Sequence, residues 1–298
     1  MAEPALMYCV GATKSGTTWL YEHLAAHPAC HLRPVKEAHY WDTAEPGRRA
    51  QQVSDFRKRL RQIDAGLLRA IADGDQTRVA RLDRQAQTLV ALIAMLEAPR
   101  DGHAAYRHWL MDGAGPAALV ADITPAYGIL PQTTLHEMRS AAAATRFVYI
   151  MRDPLDRLWS HVRMQARRTL RPSGDYKSLS HKILRRILTE GGEPQIVARG
   201  DYIGTVTALR AVVPACDLHL TFAEDLFAPE GLRRLSAFLG IAYRPGTPEK
   251  AHAGEALPMR EDLRPRVAAF LQDQYEWVAA HVGPLPARWR DNLQGAMA

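Results

Sequence analysis

The chain runs to 298 residues, 47% hydrophobic and 23% charged, which excludes a disordered chain and leaves room for one large α/β domain with an insertion or for two ordinary domains. Three cysteines, Cys9, Cys30 and Cys216, fall in no paired arrangement; this excludes a disulfide framework or zinc knuckle and fits a reducing cytoplasm. The net charge of +6 suits an anionic ligand, no nucleic-acid partner is expected, and the densest basic stretch, Arg163 to Arg186, reads as a solvated face.

Residues 1–15 carry Glu3 and lack a basic start, so no export signal is expected. The longest apolar stretch, Leu89 to Leu96, falls far below the roughly 20 residues that cross a bilayer. A soluble cytoplasmic protein without a membrane span follows as the expectation. Leu6 to Val10 is a short apolar run ended by Gly11, and Thr17 to His27 reads as a helix closed by Pro28. Val53, Phe56, Leu60, Ile63 and Leu67 then recur at three- and four-residue steps, as do Val79, Leu82, Ala86, Leu89, Ile93 and Leu96, with Asp73-Gly74-Asp75 between the sets. This predicts an antiparallel helical hairpin inserted at about residues 48–100 of a single domain spanning 1–298. Its seams pack on each other, and the arm serves either as an acceptor-site lid or as the contact of a homodimer.

Further strands are expected at Ala118 to Asp122, Arg146 to Met151 and Leu218 to Phe222, each followed by a helical pattern. Strands alternating with helices predict a three-layer α/β/α fold with a mostly parallel sheet. Ligands in such sheets bind at the carboxyl ends of strands, so the loops that begin at Gly11 and Arg152 are where chemistry is sought.

Gly11-Ala12-Thr13-Lys14-Ser15-Gly16-Thr17-Thr18-Trp19 joins a strand to a helix, where backbone N–H groups and the helix dipole favour an anion. It imitates the triphosphate loop G-x-x-x-x-G-K-[ST], but Thr17 occupies the lysine slot and the lysine has moved upstream to Lys14. A kinase needs its lysine on the β- and γ-phosphates and a hydroxyl on magnesium, whereas sulfuryl transfer from a 5′-phosphosulfate needs one cation near the bridging oxygen. Downstream, Arg152 stands at a strand end, Asp153 can cap the next helix, Pro154 fits its first turn, and Ser160 follows on that helix. A guanidinium and a hydroxyl together suit a terminal phosphate. Arg157 is either a helix-surface partner of Asp153 or Asp156, or a ligand contact.

K-S-G-T-T-W after a strand, followed by R-D-P-x-x-R-x-x-S, resembles the nucleotide site of the sulfotransferases that use 3′-phosphoadenosine 5′-phosphosulfate (PAPS). The resemblance extends over most of the chain outside the arm and implies a P-loop NTPase-like fold and no metal. It implies that Lys14 contacts the phosphosulfate and helps the leaving group, that Ser15, Gly16, Thr17 and Thr18 bind the 5′-phosphate, and that Arg152 and Ser160 bind the 3′-phosphate. Trp19 matches the family tryptophan that packs on adenine; a helix residue buried under the sheet is the alternative. Lys36-Glu37-Ala38-His39-Tyr40-Trp41-Asp42 resembles the base loop of glycosaminoglycan-type members, which implies Glu37 as base, with partial burial expected to raise its pKa, and His39 as the rival.

Ala121 to Tyr127 is similar to the family's E-K-[ST]-P-x-Y, but Ile123 replaces the lysine. A second catalytic cation then comes from elsewhere, with Lys36 the candidate, while Asp122 and Thr124 are expected to line the acceptor side or shape a turn. Gly200-Asp201-Tyr202 matches a later landmark, where Tyr202 can touch nucleotide or acceptor, and Lys250 in Lys250-Ala251-His252-Ala253-Gly254 is a candidate 3′-phosphate contact. His23 and His27 invite a metal reading, but Leu24 stands where H-E-x-x-H needs glutamate and Pro28 ends the helix. The expected activity is PAPS-dependent transfer to a hydroxyl or amine of a carbohydrate or small metabolite, releasing 3′-phosphoadenosine 5′-phosphate (PAP). A P-loop small-molecule kinase and a non-catalytic nucleotide-binding scaffold are the alternatives.

Overall fold

The computed structural model describes residues 3–246 and 257–294, so Lys250 lies outside the described residues. The chain begins with β1 (Ala5–Gly11), α1 (Thr17–Ala25), β2 (Cys30–Leu32), α2 (Pro46–Ala72), α3 (Gln76–Glu97), α4 (Ala104–Met111), β3 (Leu119–Ile123), α5 (Gln132–Arg139), β4 (Thr145–Met151) and α6 (Pro154–Thr169). It continues with α7 (Tyr176–Glu190), α8 (Pro194–Ala198), α9 (Tyr202–Val212), β5 (Leu218–Phe222), α10 (Ala223–Leu226), α11 (Pro229–Leu239), α12 (Arg264–Phe270), α13 (Gln272–His281) and α14 (Ala287–Gln294). Among the described residues no helix is long and apolar enough to cross a membrane.

The strands form a five-stranded sheet in the order β2-β3-β1-β4-β5, every pair parallel. Parallel strands need crossovers that lay helices on the sheet, so both faces must be apolar. Strand periodicity supplies this directly. In β1, Leu6, Tyr8 and Val10 join one buried cluster while Met7 and Cys9 join the other. β4 divides in the same way, with Phe147, Tyr149 and Met151 against Val148 and Ile150. Trp19, Leu20 and Leu24 of α1 and Leu232, Leu235 and Leu239 of α11 cover the Met7 face. Leu155, Leu158 and Val162 of α6 and Val206 and Leu209 of α9 belong to the cluster on the Tyr8 face. The result is the expected three-layer arrangement.

The chain lays β2 and β3 on one side of β1 and then crosses to β4 and β5 on the other. The direction of winding therefore reverses at β1, and the crevice above such a reversal is where an open α/β sheet binds ligands. The loop after β1 lies there, flanked by the ends of β3 and β4.

The inserted arm consists of α2 and α3. Pro46 occupies the first turn of α2, and the Asp75 side chain caps α3 by accepting the Arg78 N–H. Only Asp73 to Asp75 separate the helices, with Gly74 at φ 70°, so they run antiparallel. Val53, Phe56 and Ile63 of α2 and Leu82, Leu89, Ile93 and Leu96 of α3 are buried, while Leu60, Leu67, Val79 and Ala86 pack partly buried against the same cluster. The seam residues thus do pack on each other, and Arg57 adds a 2.7 Å ion pair to Glu97 across the helices.

Candidate functional site

β1 delivers Gly11 to the top of the sheet, and the chain turns through Lys14 and Gly16 into α1. Lys14 at φ 74° and Gly16 at φ 92° are both left-handed, a backbone that gathers successive N–H groups into an anion-binding concavity. A Cβ on Gly16 would stand 2.6 Å from the Phe227 ring, so packing as well as conformation requires glycine there. No side chain caps α1, which leaves its first N–H groups available to a ligand. The Thr13 and Ser15 hydroxyls are buried without a hydrogen-bond partner of normal geometry among the described residues, the Tyr202 hydroxyl lying beside Ser15. Buried hydroxyls left this way are costly unless a ligand completes them, so the loop fits an anionic group.

Cations converge on this loop. Burial, then the neighbouring Arg152, Arg163, Arg168 and Lys36, push the Lys14 ammonium below its ordinary value. An anion placed among these groups relieves their mutual repulsion. Arg152 reaches from the end of β4 to donate from Nη1 to the Lys14 carbonyl at 3.2 Å, which joins the two motifs. Tyr202 is fully buried; its hydroxyl accepts from the Arg152 N–H at 3.2 Å and donates to the Arg152 carbonyl at 2.5 Å. It therefore holds Arg152 in place and offers no exposed surface to nucleotide or acceptor. Asp153 caps α6 by accepting from the Asp156 N–H at 2.8 Å, and burial raises its pKa to about 6. Ser160 lies half-buried on α6. Arg157 follows neither expectation, because it is 1% exposed, donates from Nη2 to the Ile196 carbonyl at 3.1 Å and fills the space a side chain on Gly200 would need.

Trp19 is 7% exposed and packs under the sheet, with the His23 ring stacked at 5.2 Å and Phe227 edge-on at 5.0 Å. His27 bonds the Ala29 N–H at 3.1 Å and the Ala242 carbonyl at 2.9 Å. Both ring nitrogens are thus engaged with backbone.

The base loop, Lys36 to Asp42, places two non-glycine residues in left-handed backbone, Glu37 at φ 68° and His39 at φ 52°. Such conformations persist only where the surroundings enforce them. Here the enforcement comes from below. The Ala38 N–H donates to Thr124 Oγ1 at 3.1 Å and the Tyr40 N–H to the Tyr127 hydroxyl at 3.0 Å. Both acceptors in turn donate to Asp122, Thr124 at 2.6 Å and Tyr127 at 3.0 Å, and Tyr106 adds a third bond at 2.8 Å. Asp122 and Thr124 are 3% and 0% exposed. Buried this deeply and engaged by three hydroxyls, Asp122 and its partner Thr124 brace the base loop from the end of β3. Burial raises the Asp122 pKa, and its three donors oppose the shift. Asp122→Ala is expected to destabilise the fold by about 3 kcal/mol or more, since it orphans three buried hydroxyls; thermal unfolding measures this, and an unchanged Tm would refute the bracing role.

Lys36 connects the base loop to the anion loop. Its Nζ lies 2.8 Å from Glu37 Oε1 and 3.4 Å from Thr17 Oγ1. Glu37 Oε2 is 3.5 Å from His39 Nε2, and His39 Nδ1 is 2.8 Å from Asp42 Oδ2. Burial alone would raise the Glu37 pKa, as the sequence suggested. The His39 hydrogen bond and the Lys36 charge outweigh it, and the value falls to about 2. Burial likewise opposes the charge on His39, yet Asp42 and Glu37 lift its pKa to about 9. Near neutrality Glu37 is a carboxylate and His39 an imidazolium. A histidine already protonated cannot accept a proton, whereas an ionised carboxylate can.

Beside Glu37 opens a cleft of about 250 Å³, bounded by Thr18, by Lys36, Glu37 and His39, and on the arm side by Gln52, Phe56 and Arg59. The arm residues escape sequence reasoning because Phe56 reads as a seam position and Arg59 as one more charge on a solvated face. The available signal is the i, i+4, i+7 spacing that puts Gln52, Phe56 and Arg59 on one stripe of α2.

Comparison with known proteins bears on this geometry. A search of curated protein sequences finds no match. The chain is similar in structure to a sulfotransferase from Alicyclobacillus acidocaldarius at 22% identity and a TM-score of 0.61, covering 97% of this chain and 100% of that one. It also aligns with the sulfotransferase domain of an olefin synthase from Synechococcus PCC 7002 at 19% identity and a TM-score of 0.43, over 99% of this chain and 93% of that one. The sequence profile described as "Sulfotransferase family" matches residues 7–245, and with that span covering both loops and the sheet between them, the chain belongs to the sulfotransferase family.

Proposed function

We propose that this protein transfers a sulfuryl group from PAPS to a hydroxyl or amine of a small acceptor, with Glu37 as base and Lys14 at the leaving group. The observation that carries the reading is the meeting of Lys14, Lys36 and Arg152 around one left-handed loop, with an ionised carboxylate held beside it. The acceptor O–H or N–H proton passes to Glu37 as the acceptor atom forms its bond to sulfur. The bond from sulfur to the bridging oxygen breaks, its electron pair leaves on the 5′-phosphate of PAP, and Lys14 stabilises that developing charge. Ser15, Gly16, Thr17 and Thr18 bind the 5′-phosphate, and Arg152 with Ser160 the 3′-phosphate.

A carboxylate held near 2 is a weak base. Lys36 resolves this, because an incoming sulfuryl anion draws its ammonium away from Glu37 and so raises the basicity of Glu37 as the donor arrives. Lys36 thereby stands in for the lysine that Ile123 replaces; Ile123 itself ends β3 and is buried in the cluster on the Met7 face of the sheet.

The test is ligand-dependent thermal unfolding. PAP at 100-fold excess over its Kd should stabilise the protein by about 2.7 kcal/mol, raising Tm by several degrees, while ATP with magnesium should not. Stabilisation by ATP alone would replace this reading with a kinase. Transfer of labelled sulfate from PAPS to an acceptor panel then reads the activity itself.

A further inference from the structure

We propose that the cleft between the base loop and α2 selects acceptors that carry a carboxylate, with Arg59 as its anchor and Phe56 as the wall on which a ring-sized acceptor rests. This rests on the sulfuryl-transfer reading and adds a substrate class to it. Arg59 is a half-buried member of the cleft lining, and it has no hydrogen-bond or ion-pair partner among the described residues. Its neighbours on α2 are otherwise engaged: Arg57 with Glu97 at 2.7 Å, Lys58 with Asp55 at 2.8 Å and Arg48 with Glu45 at 3.5 Å. Arg61, by contrast, is exposed and stands outside the cleft lining. Within the cleft, Lys36 is bound to Glu37, and His39 to Glu37 and Asp42. Arg59 is thus the cation of the cleft wall left for a ligand.

Its neighbours fit the same occupant. Phe56, one turn before Arg59, is 5% exposed and lies 6.3 Å from the His39 ring, which seats α2 against the base loop. Gln52, one turn further back, brings an amide that both donates and accepts hydrogen bonds. At about 250 Å³ the cleft falls below the roughly 300–1,000 Å³ of common ligand sites, so it seats one aromatic or sugar ring. An acid entering this space approaches the Glu37 carboxylate and the anionic donor together. Lys36 and His39 are already paired with carboxylates, so a cation on the opposite wall is what offsets the resulting repulsion, and a planar guanidinium matches a carboxylate bidentately.

Two matched pairs test this: 3-(4-hydroxyphenyl)propionate against 3-(4-hydroxyphenyl)propanol, and glucuronate against glucose. Binding to the protein is measured calorimetrically with and without saturating PAP. The wild type should bind the acid of at least one pair about tenfold more tightly than its neutral partner. Arg59→Gln should abolish that preference, Arg59→Glu should reverse it, and PAP affinity should be unchanged in both. Equal binding of acid and neutral compound by the wild type overturns the proposal, as does a preference that survives Arg59→Gln. A loss of PAP affinity in Arg59→Gln also overturns it, by moving Arg59 to the donor side. Failure of the wild type to bind PAP would count against the donor reading instead, because the PAP-free titrations still read Arg59 directly.

Discussion

Lys14→Ala is expected to lower sulfuryl transfer by about 10²–10³-fold, the usual cost of removing one group that stabilises charge in the transition state. The protein should remain folded. Lys14 already occupies left-handed backbone at φ 74°, so alanine inherits that strain without adding to it. The lysine also stands among Arg152, Arg163, Arg168 and Lys36, and these charges with its burial depress its pKa. A depressed lysine is destabilised in its charged form, so its removal should leave the Tm of the ligand-free protein unchanged or slightly higher. Affinity for PAP should fall far less than turnover, because Arg152 and the loop N–H groups remain. Turnover from PAP release assays, set beside PAP binding and thermal unfolding, separates these effects. Near-normal turnover would sink the role, and a collapse of PAP binding equal to the loss in rate would make Lys14 a binding residue only.

Much of the framework is readable from residue pattern alone, and the failures have particular causes. β1 and β4 are near-continuous apolar runs bounded by breakers, which is how strands buried on both faces present themselves. β2 escapes this logic: Cys30-His31-Leu32 is three residues long and pairs only with β3, too short for any periodicity to register. The arm is legible because heptad-like spacing persists through two long helices.

At the site, the motif residues proposed to meet ligand are placed by the strands that carry them, but the residues that support them are joined only in three dimensions. Asp122 reads as substrate-side from its motif, yet its neighbours are Tyr106 and the ring hydroxyl of Tyr127, whose arrival depends on packing. Tyr202 likewise reaches Arg152 across 50 positions of sequence. Arg157 shows the same limit from another side, because an arginine in the first turn of its helix looks exposed until α8 is seen to cover it. For Glu37 the pKa shift runs opposite to the expectation from burial: burial does act upward, and the Lys36 and His39 partners exceed it.

Those partners set the outcome for Glu37→Gln, which is expected to reduce transfer by about 10²–10⁴-fold, the contribution of a positioned general base. The amide preserves shape and can still accept from Lys36, so the loss reports basicity more than architecture. His39 supplies an independent readout. Its pKa is about 9 because Asp42 and Glu37 both favour the imidazolium; without the Glu37 charge it should fall, and proton resonances of the ring follow this directly. The signs for stability are opposite at the two residues. Glu37, depressed from 4.5 to about 2, contributes stability that is full above 4.5 and lost as pH falls towards 2. His39, raised from 6.5 to about 9, contributes stability that is full below 6.5 and lost as pH rises through 9. Both act fully between about 4.5 and 6.5, and the His39 share drains away on the alkaline side. Activity should therefore decline above about 9 in the wild type, as the imidazolium that orients Glu37 loses its proton, and His39→Gln should remove that limb at a cost of roughly tenfold in rate. If His39 were instead the base, the two variants would exchange places: Glu37→Gln would retain most of its rate, His39→Gln would lose nearly all of it, and wild-type activity would rise towards pH 9.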